Sequence, residues 1–313
     1  MQHVRKVHTL RAVSDQSRRV LISGSTGLIG AALISRLQST GWQITRLSRT
    51  ASPQRAQISW DPSKPIAPET VSGFDAVVHL AGETIVGRWT DTKKRAIRES
   101  RVLGTRHLSE ALAKAPQPLR VFVCASAIGY YGDRGEEILC EESASGSGFL
   151  PEVCREWENA AKPAADAGIR TVHSRFGIVL SPSGGALAKM LTPFRLGLGG
   201  NMGSGRQWWS WIALQDVIGA IEHVLQTDSI RGPVNVVSPN PTRNSEFTKI
   251  LAAVLSRPAI FPMPAFAARL ALGQMADELL LASQRVEPGK LAGTGYVFQQ
   301  PELRAALRSV LTR

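Results

Sequence analysis

Three glycines in the stretch LISGSTGLIG, namely Gly24, Gly27 and Gly30, stand at three-residue intervals between an apolar run and an amphipathic one. That context gives each a task. The first permits a tight strand-to-helix turn, the second lets a diphosphate approach the backbone, and the third lets helix and strand pack closely. Free N–H groups and the positive dipole end of the helix then attract the phosphates. Thr26, Leu28 and Ile29 fill the same turn and join the candidates for holding a dinucleotide. A Gly-rich turn without a ligand is the alternative reading of such a stretch.

Which dinucleotide depends on the end of the second strand, WQITRLSR. A site for NAD places an acid there, about 20 residues past the glycines, to hold the ribose 2′-hydroxyl. This chain has Ser48 and Arg49 instead, with no acid between Gly24 and Asp61. A guanidinium pairs with a 2′-phosphate through two hydrogen bonds, which a carboxylate would repel. The pattern therefore points to NADP(H).

Ser126, Tyr130 and Glu83 fall at the ends of expected strands, where ligands bind in parallel sheets. Tyr130 and Tyr131 are two of only three tyrosines, and paired hydroxyls hint at hydrogen bonding where Phe would serve packing. Ser126 and Tyr130 are candidates to polarise or protonate a reacting oxygen. Glu83 is a candidate base, with local pairing to Arg88 as the alternative. Further on, GSGRQWWSWI gathers Arg206, Gln207, Trp208, Trp209 and Trp211 behind a glycine-rich segment. Arginine suits an anion and tryptophan a ring, so Arg206, Gln207 and Trp211, with Lys189 from GGALAKML, are candidates for a substrate pocket. The apolar alternative is that these tryptophans anchor a second domain.

The elements that must position these groups follow from periodicity. RRVLISG, WQITRLSR, DAVVHLAG, LRVFVCAS, IRTVHSRFGIVL and GPVNVVS read as strands. LIGAALISRLQSTG, the stretch DTKKRAIRESRVLGTRHLSEALAKA capped at Asp91, and residues 213–226 read as helices. GGALAKMLTPFRLG reads as a helix kinked at Pro193. Strands alternating with helices imply an α/β fold, a Rossmann-type doubly wound parallel sheet. Residues 20–180 form its NADP(H)-binding domain, completed by part of 211–238. Residues 181–313 form a smaller, mostly helical substrate-capping domain. Residues 1–19 read as a flexible basic extension, or alternatively as an organellar address.

Composition sets limits. The 313 residues are 43 % hydrophobic and 20 % charged, as in a soluble globular protein with a full core. No run of about 18 apolar residues occurs, so a membrane span is not expected. The net charge of +12 is concentrated N-terminally, with nine Arg or Lys against Asp15 alone in residues 1–55. It lacks the aromatic interleaving of a single-strand channel, so nucleic acid is not an expected partner. Cys124, Cys140 and Cys154 have no metal spacing; free thiols and a cytoplasmic location are expected, with no metal.

These features together resemble the extended short-chain dehydrogenase/reductase superfamily. HLAGE resembles its loop beside the nucleotide, which adds His79, Leu80, Ala81, Gly82 and, on the following helix, Ser100 to the cofactor candidates. SAIGYYG resembles its active-site strand end. GSGRQWWSWIALQDV, RFGIVLSPSGGALAKML and RVEPGKLAGTGYVFQQPELRAAL resemble an epimerase-like subfamily, often labelled nucleoside-diphosphate-sugar epimerase, whose C-terminal segment has no known role, here about 258–311. The resemblance implies hydride transfer on a small polar substrate, and a homodimer through two packed helices. It also implies a tyrosine general acid/base with a lysine four residues later. The matching positions hold Leu150 and Cys154. Two readings stay open: an NADP(H)-dependent oxidoreductase or epimerase with other proton donors, or a catalytically silent NADP(H)-binding sensor.

Overall fold

The computed structural model describes residues 18–50, 56–117 and 119–311. The basic leader before residue 18 and Arg55 lie outside them. Seven parallel strands form the main sheet in the order β11-β7-β5-β4-β1-β2-β3. They are β1 (Arg19–Ser23), β2 (Gln43–Ser48), β3 (Gln57–Ser59), β4 (Ala76–His79), β5 (Val121–Ala127), β7 (Arg170–Phe176) and β11 (Gly232–Val236). The short β6 (Ile138–Leu139) lies outside this sheet. Strand order reverses between β1 and β4, which opens a crevice at their C-terminal ends. All four residues of β4, and β1 after its first, are buried, because helices cover both faces.

On one face, α1 (Leu28–Ser39) packs beside α6 (Leu214–Gln226). Gly30, Leu33, Ile34 and Leu37 of α1 face inward at helical spacing, and the last three join Val20, Val78 and Val123 in one core cluster. On the other face, α2 (Asp91–Ala113), α3 (Phe149–Ala160) and α4 (Lys162–Asp166) cover Leu21, Val77 and Phe122. The α2 cap is Thr90, not Asp91: its hydroxyl accepts from the Lys93 amide, and Asp91 becomes the first helical residue.

The stretch expected as one strand over 169–180 is two. Main-sheet pairing ends at Phe176, and β8 (Ile178–Leu180) leaves to pair with β10 (Trp211–Ala213). Gly177 makes the crossing, since a Cβ there would stand 2.6 Å from the Ser210 carbonyl. A third core then forms from β8, β9 (Trp208–Trp209), β10, α5 (Gly185–Arg195), α7 (Asn244–Leu255) and α10 (Leu303–Leu311). Pro193 sits inside α5, which ends two residues later. The C-terminal segment adds β12 (Thr242–Arg243), α8 (Ala265–Leu272), a π-helical turn at Ala276–Leu281, β13 (Arg285–Val286) and α9 (Gly289–Gly293). β13 pairs with β6 and ties this segment back to the loop after β5.

Candidate functional site

The turn from β1 into α1 is shaped as its glycines require. Gly24 has φ +68°, and a Cβ on it would lie 2.6 Å from the Leu80 carbonyl carbon. A Cβ on Gly30 would collide with the Gly24 carbonyl oxygen. The Gly27 amide donates to that oxygen at 3.0 Å, and Gly27 caps α1 without any side chain. No acid stands in the first turn. Thr26 and Gly27 are exposed, whereas Leu28 and Ile29 are half-buried. The Leu28 side chain rests against the position of Gly184 and Gly185 at the start of α5. The first-turn amides are thus left to an outside acceptor, and a diphosphate fits them.

At the end of β2, Arg49 is exposed and makes no hydrogen bond or ion pair among the described residues. Ser48 beside it is half-buried and its carbonyl accepts from Trp60. Glu83 is the acid whose charge reaches both Arg49 and Arg101. Its carboxylate is bound to Lys93 Nζ at 2.7 Å, and that hydrogen bond holds its pKa below the ordinary value. This corrects the expectation of Glu83 as a base, because an ion-paired carboxylate gives up its proton too readily. It also corrects the pairing with Arg88, which donates to the Leu270 carbonyl. Ser100 shapes the same loop by accepting from the Glu83 amide. Leu80 and Ala81 are half-buried and Gly82 is exposed on that loop.

His79 differs from expectation. Its ring is wholly buried, Nδ1 meets Ser23 Oγ at 2.6 Å, and Nε2 has no partner. Burial pushes its pKa down to about 4. Only its backbone can face the crevice.

The end of β5 carries a network that the sequence did not reveal. Ser126 is buried and donates to Glu158 Oε1 at 2.7 Å. Glu158, on α3, receives two hydrogen bonds from Arg175 of β7, Nε to Oε1 at 2.8 Å and Nη2 to Oε2 at 2.9 Å. Burial pulls Arg175 down, but Glu158 outweighs it and the guanidinium is held firmly protonated. Its face stacks on the Tyr130 ring, 3.5 Å from the centroid. Tyr130 is half-buried, and its hydroxyl bonds to no described protein atom. Tyr131 is different: fully buried, it accepts from Arg175 and lies 2.7 Å from Asn235 Oδ1, and burial raises its pKa to about 12.

The two positions where a tyrosine and a lysine were sought lie just beyond. Leu150 is buried against Ile97, Val153 and Met275. Cys154 is buried, with Sγ 3.9 Å from the Ala127 carbonyl and its pKa pushed up to about 12 by burial. It is a packed thiol and not an activated one, since its neighbour Arg155 points to Ser145 and Gly146.

The expected substrate cluster does not assemble as a set. Gln207 is buried, with Nε2 donating to the carbonyls of Met202 and Leu280. Trp211 is fully buried in the third core, its indole donating to Thr242. Both are framework groups, because their polar atoms are already satisfied inside. Arg206 and Lys189 remain exposed, on different elements, and no contact joins them. A cavity of about 250 Å³ lies elsewhere, between the start of α3 and the C-terminal segment, lined by Gly132, Ser147, Pro151, Arg269, Asp277 and Glu278. No group of His, Cys, Asp and Glu able to hold a metal occurs among the described residues. None of their helices is long and apolar enough to cross a membrane.

Residues 20–237 match the NAD dependent epimerase/dehydratase family, and residues 263–310 match a domain of unknown function, DUF1731. Epimerase family protein Mb2239 of Mycobacterium bovis is 39 % identical over 296 residues, covering 94 % of this chain and 98 % of its own. The crystal structure of human epimerase family protein SDR39U1 (isoform 2) with NADPH is 36 % identical. It superposes with a TM-score of 0.87 over 94 % of this chain and 99 % of that one. The structure of a nucleoside-diphosphate sugar epimerase from Corynebacterium glutamicum is 41 % identical at TM-score 0.79, covering 94 % of this chain and 58 % of the other.

Proposed function

The chain belongs to the NAD dependent epimerase/dehydratase family, and from that membership we propose that it is an NADP(H)-dependent oxidoreductase or epimerase acting on a sugar-nucleotide-like substrate. The observation that carries the coenzyme choice is Arg49, a guanidinium at the end of β2 that makes no ion pair among the described residues, with no acid beside it on the strand. The human relative with NADPH supports it. In this reading the amides at Gly24–Gly30 hold the diphosphate, and Arg49 with Ser48 holds the 2′-phosphate. The backbone of His79–Gly82 borders the crevice, with Ser100 supporting it. The bound nicotinamide supplies hydride acceptance or donation at its ring.

Positioning of the reacting oxygen falls to the chain's own groups. Ser126 directs its proton at Glu158 and keeps oxygen lone pairs free. A substrate hydroxyl that loses hydride from its carbon to the nicotinamide is held at Ser126 Oγ and releases its proton to solvent, because Glu158 is committed to Arg175 as Glu83 is to Lys93. The carbonyl forms as the proton leaves, and reduction runs the same path backwards. Tyr130, with a free hydroxyl beside Arg175, orients the reacting oxygen. Arg206 is the candidate for a substrate phosphate.

Titration with NADPH and NADH tests the coenzyme reading. NADPH should bind about tenfold to a hundredfold more tightly, as expected for charge-assisted bonds to one phosphate, and Arg49→Ala should erase the difference. Equal affinity would overturn it. Absorbance at the reduced nicotinamide band, with NADP+ and a panel of uridine and thymidine diphosphate sugars, tests turnover. The sensor reading, which Leu150 and Cys154 favour, predicts tight binding and no hydride transfer with any of them.

A further inference from the structure

We propose that the exposed apolar face formed by residues 196–203 and 258–270 docks this protein peripherally on an anionic lipid bilayer. Most of the large apolar side chains that the described residues expose lie in these two segments. Leu196 and Leu198 belong to the first, and Ile260, Phe261, Met263, Phe266 and Leu270 to the second. Ile260 and Phe266 are each 72 % exposed, and Leu270 is 77 % exposed. Backbone bonds hold the segments side by side: the Phe261 amide donates to the Gly199 carbonyl at 3.0 Å, and the Met263 amide to that of Asn201 at 2.8 Å. α8 follows at once behind Pro264. Phe266 and Leu270 stand one turn apart on its outer side, while Ala268 is buried on the other. Pro258, Pro262 and Pro264 stiffen the backbone of the second segment, so little freedom is lost when the face is covered. An exposed apolar patch of this extent marks an interaction surface.

Charge decides the occupant. No Asp or Glu occurs from Ser181 to Gln215 or from Phe247 to Ala276, the two stretches that carry the face. They hold Lys189 and Arg195 on α5, Lys249 on α7 and Arg257 after it, all exposed and without an ion pair among the described residues. Arg257 Nε donates to the Arg195 carbonyl at 3.0 Å, so these two cations stand together at the edge of the patch. A second copy of the chain would set the same unneutralised cations against each other, which disfavours self-association here. Ile260 and Phe261 are neighbours and both exposed, so this segment stands proud of the surface and forms no groove for a partner helix. Protruding apolar side chains need a matching pocket in a protein partner, whereas a bilayer takes them up between its headgroups without one. Apolar insertion and a cationic rim together give a stable peripheral anchor where either alone is weak.

Vesicle sedimentation with the full chain tests this. The vesicles are phosphatidylcholine alone, or phosphatidylcholine with an equal part of phosphatidylglycerol. Partition into the anionic vesicles should be at least tenfold stronger than into the neutral ones at about 50 mM salt, and should fall at about 500 mM. Phe261→Ser combined with Phe266→Ser, and Arg195→Gln combined with Arg257→Gln, should each weaken anionic partition at least fivefold. Val297→Ser, at an exposed apolar residue outside the two segments, should leave it unchanged. Urea midpoints near that of wild type show that the variants are folded; if the serine pair does not fold, Leu270→Ser takes its place with the same expectation. Equal partition into both vesicle types overturns the proposal. So does binding that survives both pairs of substitutions, which assigns it to the basic charge elsewhere in the chain. Absence of binding to anionic vesicles overturns it and leaves the face to an acidic protein. A dimer seen by light scattering without vesicles, and dissociated by the serine pair, gives the face to a second copy and overturns it as well.

Discussion

The amide of Leu150 donates to the carboxylate of Glu278 at 2.7 Å, and the neighbouring Phe149 amide donates to the same group at 3.1 Å. A residue of the C-terminal segment thus caps the helix on which the superfamily's tyrosine was sought. The fit is close, since a Cβ on Gly148 would come within 3.1 Å of Glu278 Oε1. A carboxylate at a helix N-terminus satisfies orphan donors and meets the positive dipole end. It also occupies the amides that a substrate anion would otherwise find at α3.

Removing that cap should loosen the junction. Glu278→Ala is expected to lower unfolding stability by about 1–2 kcal/mol, the range of a lost helix cap. Glu278→Gln keeps an acceptor and should fall between the two. Urea unfolding at neutral pH reads the order directly, and an unchanged midpoint in the alanine variant would contradict the capping role.

The network at the end of β5 separates stability from turnover. Glu158→Gln leaves Arg175 a buried cation without its carboxylate, which costs about 3–5 kcal/mol. Ser126→Ala removes one hydrogen bond to a charged acceptor, about 1–3 kcal/mol, and leaves the Arg175 pair intact. If Ser126 holds the reacting oxygen, its variant should stay folded, bind NADPH as wild type does, and lose hydride transfer at least a hundredfold. Full activity in Ser126→Ala would remove Ser126 from the chemistry.

His79 gives the fold an acid dependence of fixed sign. Its folded pKa, pushed down to about 4 by burial, lies below the ordinary value of 6.5, so the unfolded chain binds more protons between those values. Stability from this group is complete above about pH 6.5 and is lost progressively as pH falls toward 4, roughly 3 kcal/mol in all. His79→Gln should flatten that part of the pH profile in denaturant unfolding measured from pH 7 to 4.5.

Thiol chemistry should find one cysteine. Cys124 and Cys154 are buried with pKa values raised to about 12, while Cys140 is exposed. Labelling the native protein at pH 7.5 with a thiol reagent should modify Cys140 alone, with the other two reacting only after unfolding. Rapid native labelling of Cys154 would show that its burial is incomplete.

The glycine turn was legible because each of its requirements is local. Glycine spacing, an apolar strand before it and an amphipathic helix after it act within about twenty residues of backbone, and the same holds for the place of Ser48 and Arg49 at the end of β2. Trp211 and Gln207 misled for the opposite reason. Their types suit a binding pocket equally well as a core, and only their buried surroundings distinguish the two. Asp91 and Thr90 were separated by a single position, which helix periodicity does not resolve.

The sequence alone determined the alternation that forces a parallel sheet, the turn that opens α1, and the absence of an acid where NAD would need one. Tertiary structure decided which distant charges meet: Glu158 with Arg175, and Glu278 with the amide of Leu150 across 128 residues. Backbone preference is set by a residue and its chain neighbours. Charge neutralisation is set by register between strands and by how a later segment docks on an earlier helix, so it exists only once the chain is folded.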